Sequence, residues 1–240
     1  MKVIIRHEAE LAALLQHQPA FTGIAGLNIA SSDFRHWTCE GRDIQIMHVA
    51  IIGKSGYGKS SLVNALIGHD VMKTSAIEAC TREAQNAMFR IRDGQYLAFA
   101  DVPGIGESAQ CDEKYLSMYQ DLVRKSDVVV HMLRADCRDY AIDEAAFARL
   151  FPDRASRRKV ILAVNGCDKI EPLSRQTVRG PSDRQWANVL EKIRELGPRF
   201  AGVKHIIPCC ANPAWRLELL SEAITVMLEE AARVTLAVAA

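Results

Sequence analysis

Gly53-Lys54-Ser55-Gly56-Tyr57-Gly58-Lys59-Ser60 decides the fold of this chain through what stands on either side of it. The apolar run Val49 to Ile52 reads as a buried strand entering the glycines, and Ser61 to Ile67 reads as a helix leaving them. Strand, glycine-rich loop, lysine, hydroxyl residue and helix make up the phosphate-binding P-loop in its required setting. Triphosphate oxygens must be met by several backbone N–H groups at once. Glycine lets the main chain wrap that closely, and the helix N-terminus adds its dipole. Lys59 is then placed to reach the β- and γ-phosphates, and the Ser60 hydroxyl to ligate Mg²⁺, a hard cation that prefers oxygen. Gly53, Lys54, Ser55, Gly56, Tyr57, Gly58, Lys59, Ser60 and Ser61 are the candidate phosphate-binding residues.

The 240 residues are 49% hydrophobic and 25% charged, a composition that supplies a sizeable core and predicts a globular chain. A formal net charge of +1 gives no general electrostatic reason to expect nucleic acid. The tight basic cluster Arg154, Arg157, Arg158 and Lys159 reads as a solvated loop. Seven cysteines in no metal-like spacing fit reduced thiols and predict a cytoplasmic location, and adjacent Cys209 and Cys210 form no C-x-x-C redox pair. Met1 to Ala30 carries Glu8, Glu10 and two histidines and so fails as a signal peptide. No apolar run approaches the roughly 18 residues of a membrane span.

Along the chain, residues 8 to 17 have helical spacing and residues 21 to 43 read as a glycine-punctuated connection, so residues 1–45 are expected to form an appendage and 46–240 the main domain. From Ile44 strands and helices alternate, beginning with a strand over Ile46 to Ile52 and a helix to about Gly68. A hairpin turns at Asp93-Gly94, its second strand Tyr96 to Ala100 running into Asp101-Val102-Pro103-Gly104. A helix over 112–125, a strand over 128–133, a helix near 143–150, a strand over 160–164, a helix over 183–196, a short strand at 205–208 and a long helix from Pro213 follow. This order predicts an α/β fold of three αβα layers, a mainly parallel sheet with one antiparallel edge strand, and ligands at the carboxyl ends of its strands.

Further segments fall at those strand ends. Asp101-Val102-Pro103-Gly104-Ile105-Gly106-Glu107-Ser108, Ala79-Cys80-Thr81-Arg82, Asn165-Gly166-Cys167-Asp168-Lys169-Ile170-Glu171-Pro172 and Cys210-Ala211 come in the order and rough spacing of a GTPase. With the P-loop they resemble the Era-like branch of the P-loop GTPases (TRAFAC class) from about residue 47 to about residue 228, and within it the single-domain, prophage-type GTPases. The resemblance implies a Ras-like G domain, GTP or GDP as ligand, Mg²⁺ as cofactor and a nucleotide-controlled switch. It implies that Thr81 senses Mg²⁺ and the γ-phosphate, that Asp101 holds Mg²⁺ through water, and that the Gly104 N–H approaches the γ-phosphate. Lys59, Thr81 and Gly104 are the expected catalytic group, and Ser60, Thr81 and Asp101 the expected metal group. Asn165 and Asp168 are expected to read the base, because a carboxylate can accept from guanine N1–H and N2–H₂ and repels the unprotonated N1 of adenine. Cys210 and Ala211 match the last segment, where a backbone N–H meets the base oxygen. The family usually has lysine where this chain has Gly166, and that departure is expected to weaken nucleotide binding. Asn212-Pro213 also reads as a helix cap and first turn.

Ile105 stands where Ras-type relatives carry the glutamine that orients water, and Gly56 where some relatives carry an asparagine that holds potassium. The expectation is slow unaided turnover, near or below the ~10⁻⁴ s⁻¹ scale of an unassisted GTPase, without a strong potassium effect. Glu107, Arg82 and Arg134 are secondary candidates. The final helix carries an apolar seam through Leu217, Leu220, Ile224, Met227, Ala231, Val234 and Val238, open to packing on the sheet, on the N-terminal helix or on a second copy as a homodimer. Ribosome or RNA binding is carried only by the resemblance. Two readings stand: a GTPase switch read by an unidentified protein partner, and a non-hydrolysing nucleotide-binding scaffold. An ATPase is a third, against which Asp168 argues.

Overall fold

The computed structural model describes residues 36–39, 42–72, 85–92, 94–105, 109–173 and 180–239. Strands β1 (His36–Cys39), β2 (Arg42–Gly53), β3 (Gln85–Arg92), β4 (Gln95–Asp101), β5 (Val128–Arg134), β6 (Val160–Asn165) and β7 (His205–Pro208) form one sheet. Its order is β3-β4-β2-β5-β6-β7, with β1 paired to β2 off this path. β4, β2, β5, β6 and β7 run parallel, and β3 is the antiparallel edge strand that the hairpin signal predicts.

Helices are α1 (Lys59–Ile67), α2 (Ala109–Lys125), α3 (Ala141–Leu150), the single turn α4 (Arg154–Arg157), α5 (Asp183–Arg199) and α6 (Leu217–Ala239). Successive strand side chains point to opposite faces, and this period gives two main cores beside a smaller cluster of Ile44, Ile46, Tyr96 and Ala98. Val49, Ile51, Val128 and Val130 join Leu62 and Leu66 of α1 and Leu220 and Ile224 of α6 on one face. Ala50, Ile52, Val129 and Leu133 join Leu122 of α2, Phe147 of α3 and Val189 of α5 on the other. Helix, sheet and helix layers thus follow from near-continuous apolar strands buried on both sides. Among the described residues, no helix is long and apolar enough to cross a membrane.

Four expectations need correction. β1 and the start of β2 lie in the stretch read as a connection up to residue 43, where four residues are too few to show a period. The last helix begins at Leu217 rather than Pro213, because Cys210 and Trp215 exchange backbone hydrogen bonds of 3.1 Å each way and hold the intervening residues in a turn. α5 runs past residue 196 to Arg199 and carries Pro198 within it. The basic cluster is not a plain solvated loop. Arg154 to Arg157 form α4, Lys159 Nζ donates to Val123 O and Ser126 O at the end of α2, and Arg157 Nε donates to Phe151 O at 2.8 Å. The helix expected over 8–17 lies outside the described residues.

Tyr119 of α2, fully buried, places its hydroxyl 2.8 Å from Pro103 O and 3.1 Å from Gly53 O, joining the loops that leave β4 and β2. Tyr119→Phe leaves a buried carbonyl without its donor and is expected to lower stability by about 1–2 kcal/mol, read as a lower urea midpoint at unchanged slope.

Candidate functional site

The parallel strands bring the ends of β2, β4, β6 and β7 to one edge of the sheet, and the candidate residues sit there. Gly58, at φ 89, opens α1 and leaves room for Asn165, whose Nδ2 would lie 2.9 Å from a Cβ at this position. Gly104 packs so closely on the P-loop that a Cβ there would fall 2.2 Å from Ser55 N. Beside this contact the Ser55 N–H donates to Ile105 O at 3.1 Å, and Lys59 Nζ donates to Lys54 O at 3.2 Å. The Ser60 hydroxyl donates to Asp101 Oδ2. Two hard oxygen groups at the foot of α1 suit a cation such as Mg²⁺. Among the described residues no cluster of three His, Cys, Asp or Glu side chains forms a metal site independent of phosphate. Thr81, Arg82 and Glu107 lie outside the described residues. The Ile105 side chain is buried in the core shared with α2 and α3, where it can position no water.

Asn165 knots three loops. Its Nδ2 donates to Tyr57 O in the P-loop at 2.9 Å, and its Oδ1 accepts the Ala211 N–H at 2.9 Å. The N–H that the sequence assigns to a base oxygen is therefore engaged by Asn165. Asp168 lies in the 3₁₀ turn Cys167–Lys169, and its Oδ1 is buried with no hydrogen-bond partner within the protein. That acceptor faces a cost unless it is met by a donor. Gly166 sits at φ 73, and in a turn where side chains three apart eclipse, Lys169 passes its stem across the open face, its Cδ 3.6 Å from where a Cβ of residue 166 would be. Gly56, Gly58, Ser61, Arg134, Asn165, Lys169 and Ala211 line a common cleft. Arg134 is held by Asp136 through Nε and Nη2 at 2.8 and 2.5 Å.

Several supporting residues carry no motif signal. Gln185, buried in the first turn of α5, donates from Nε2 to Asp168 O at 2.7 Å and Ile170 O at 3.0 Å, while its Oε1 accepts the Ser182 N–H in a capping box. The S-x-x-Q spacing announces the cap, but not its hold on the base motif. Trp186 and Trp215 meet at 5.6 Å, and the Arg216 guanidinium lies 4.8 and 5.4 Å from their rings. The Cys167 thiol is pushed up by hydrogen bonding with Cys210 and by burial, and burial pushes up Cys209, so both stay protonated and act as packing groups. Tyr57 is buried, and its hydroxyl donates to Asp143 Oδ2 at 3.0 Å. Asp143 Oδ1 stands 4.0 Å from Nε2 of His131, whose ring packs between Phe147 and Phe200.

Comparison with known proteins follows the same lines. Residues 48–166 match the family described as 50S ribosome-binding GTPase. The Escherichia coli proteins YkfA and YfjP are 32% and 31% identical over 174 and 175 residues, 72% of this chain and 59% of each relative. The chain thus spans well under two thirds of their length. GTPase Der of Enterococcus faecalis is 31% identical over 140 residues, 56% of this chain and 31% of that protein. Among solved structures, Era in complex with MgGDPNP and nucleotides 1506–1542 of 16S ribosomal RNA is similar at TM-score 0.59 and 23% identity, covering 77% of this chain and 57% of that one. Toc33 from Arabidopsis thaliana in complex with Mg²⁺ and GMPPNP is similar at TM-score 0.54 and 20% identity, covering 79% and 87%. At these identities the two structures speak for the fold.

The buried pair beneath the P-loop has a measurable signature. Burial raises the Asp143 carboxyl from 3.8 to about 6 and lowers the His131 imidazole from 6.5 to about 3. Between about pH 4 and 6 the folded chain keeps a proton on Asp143 that the unfolded chain has released, so this group adds stability as pH falls. Over the same window the unfolded chain binds a proton at His131 that the folded chain refuses, so this group removes stability as pH falls. The two slopes oppose at about 1.4 kcal/mol per pH unit each. Relative to wild type, Asp143→Asn should lose stability by about that slope from pH 6 to 4, and His131→Phe should gain it, in urea unfolding at fixed pH.

Proposed function

Because the chain carries a P-loop GTPase domain of the Era-like, Ras-type kind, we propose that it binds GTP and GDP with Mg²⁺ and hydrolyses GTP slowly, as a switch read by a partner. The observation that carries this reading is the buried, unpartnered Asp168 Oδ1 in the turn whose flanking residues Gly166 and Lys169 line the same cleft as the P-loop residues Gly56 to Gly58. A guanine N–H is the donor that such an oxygen lacks. Lys169 answers the expected weakness at Gly166, since its stem offers the base an apolar wall from a different backbone position.

Triphosphate binding draws Lys59 Nζ from Lys54 O to phosphate oxygens and offers them the P-loop N–H groups, an exchange that leaves no donor buried and unpaired. Ser60 and Asp101, with Thr81, would hold Mg²⁺, which neutralises charge on the β- and γ-phosphates when bound. Ile105 supports slow turnover, because a buried aliphatic side chain leaves the attacking water without a positioned partner from that place. The state reader is a protein partner that senses the Thr81 and Asp101 to Glu107 segments. The family description and the Era complex raise ribosomal RNA as a second kind of partner, and the E. coli relatives extend well beyond the matched length.

Calorimetric titration with GTP, GDP, ATP and XTP in Mg²⁺ tests base recognition. Wild type should take GTP and GDP over ATP, and Asp168→Asn should shift preference to XTP, whose extra carbonyl the new amide can meet. Equal ATP binding overturns the guanine reading. Single-turnover hydrolysis in sodium buffer should run near or below ~10⁻⁴ s⁻¹ and respond little to potassium. Rapid unaided hydrolysis would rule out the slow-switch mechanism.

A further inference from the structure

We propose that Asp143 is a positioning residue for the P-loop, holding it in its nucleotide-binding shape from α3 through the hydroxyl of Tyr57. The inference rests on nucleotide binding at this loop and adds a residue that none of the GTPase motifs contains.

Tyr57 is flanked by Gly56 at φ 74 and Gly58 at φ 89. A loop built on such glycines gains its wrap at the expense of order, since glycine loses more conformational freedom than any other residue when fixed. Tyr57 is where this loop is fixed again. Its N–H lies 3.4 Å from Lys54 O, its carbonyl accepts from Asn165 Nδ2, and its side chain is 6% exposed with the hydroxyl 3.0 Å from Asp143 Oδ2. Lys54 Nζ lies 5.6 Å from the ring centre. The first two contacts hold the loop to its own edge. The hydroxyl alone reaches through the core to another helix, 86 residues further on.

The receiving carboxylate suits an anchor. Asp143 lies in the first turn of α3, where a helix N-terminus favours negative charge, and the helix is seated on β5 through Ala146, Phe147 and Leu150. Side chains of Asp143 and His131 are fully buried, so no water competes for the hydroxyl. A buried phenol that meets a carboxylate has strong reason to keep it, because the hydroxyl's other neighbour, Cys137 Sγ at 3.6 Å, is a weak acceptor and separation would leave Asp143 Oδ2 without its donor. A loop held in advance spends less binding energy on ordering when phosphate arrives.

Binding of GDP and GTP is measured by calorimetry at pH 7.5 on the full chain, with urea midpoints for every variant. Tyr57→Phe, which deletes only the hydroxyl, should weaken both nucleotides about tenfold. Asp143→Leu should match it, and the double variant should be no weaker than either single one, since all three remove the Tyr57–Asp143 hydrogen bond and the remaining hydroxyl contact, to Cys137 Sγ at 3.6 Å, is weak. Asp143→Asn, whose amide oxygen can accept the same hydroxyl, should restore affinity to within about twofold of wild type. Unchanged affinity in Tyr57→Phe overturns the anchor while leaving guanine-nucleotide binding intact. Asp143→Asn as weak as Asp143→Leu also overturns it, assigning the loss to general destabilisation. No binding by the wild type overturns the nucleotide reading and the anchor with it.

Discussion

One side-chain amide holds the candidate site together. Asn165 sits at the end of β6 and has one arm in the P-loop and the other on the Ala211 N–H. The parallel register brings three loops near each other, but adjacency at a strand end does not by itself set a loop's position. An amide can donate and accept at once, and Asn165 spends each capacity on a different neighbour. An acid at this position would offer acceptors only and lose the Tyr57 contact; a lysine would lose the Ala211 contact.

Around that knot, the molecule holds loops in place from beneath by buried hydroxyl and amide groups. Tyr119 reaches the starts of two loops, Gln185 reaches two carbonyls of the base motif, and Tyr57 reaches α3. Each polar tip is carried on a side chain whose body fills the core, so packing and loop placement are secured by the same residues. Loops rich in glycine need such outside support, because they supply little order of their own.

The sequence is legible where chemistry restricts residue type. Lys59, Ser60, Asp101, Asn165 and Asp168 stand out as candidates because phosphate, a hard cation and a purine edge would each demand one kind of group at a strand end. The layered fold is legible for a similar reason: strands such as Val128 to Leu133 are apolar on both faces, and such runs need cover on both sides. What escapes is pairing across the chain. Tyr119 lies 66 residues from Gly53 and Asp143 lies 86 from Tyr57, and a tyrosine in a helical stripe reads as core wherever its hydroxyl goes. Asn212-Pro213 shows a different limit. A cap and a turn ask for the same residues, and only the Cys210–Trp215 exchange decides for the turn. At Gly166 the absence of a lysine is legible, whereas the nearness of the Lys169 stem, its Cδ 3.6 Å from where a Cβ would stand, is not, since only the tight turn sets it.

The meeting of Trp186 and Trp215 gives the molecule an optical property. Of three tryptophans in the chain, two stand ring to edge with a guanidinium over both, one on the helix that grips the base motif and one in the turn that carries Ala211. Indole emission depends on its immediate electrostatic surroundings, and here those surroundings are a single cation shared between two elements. Any relative slide of α5 and the turn moves that charge across both chromophores. The share of the fluorescence that comes from Trp186 and Trp215 thus reports how α5 sits on the turn that carries Ala211, with no dye and no engineered label.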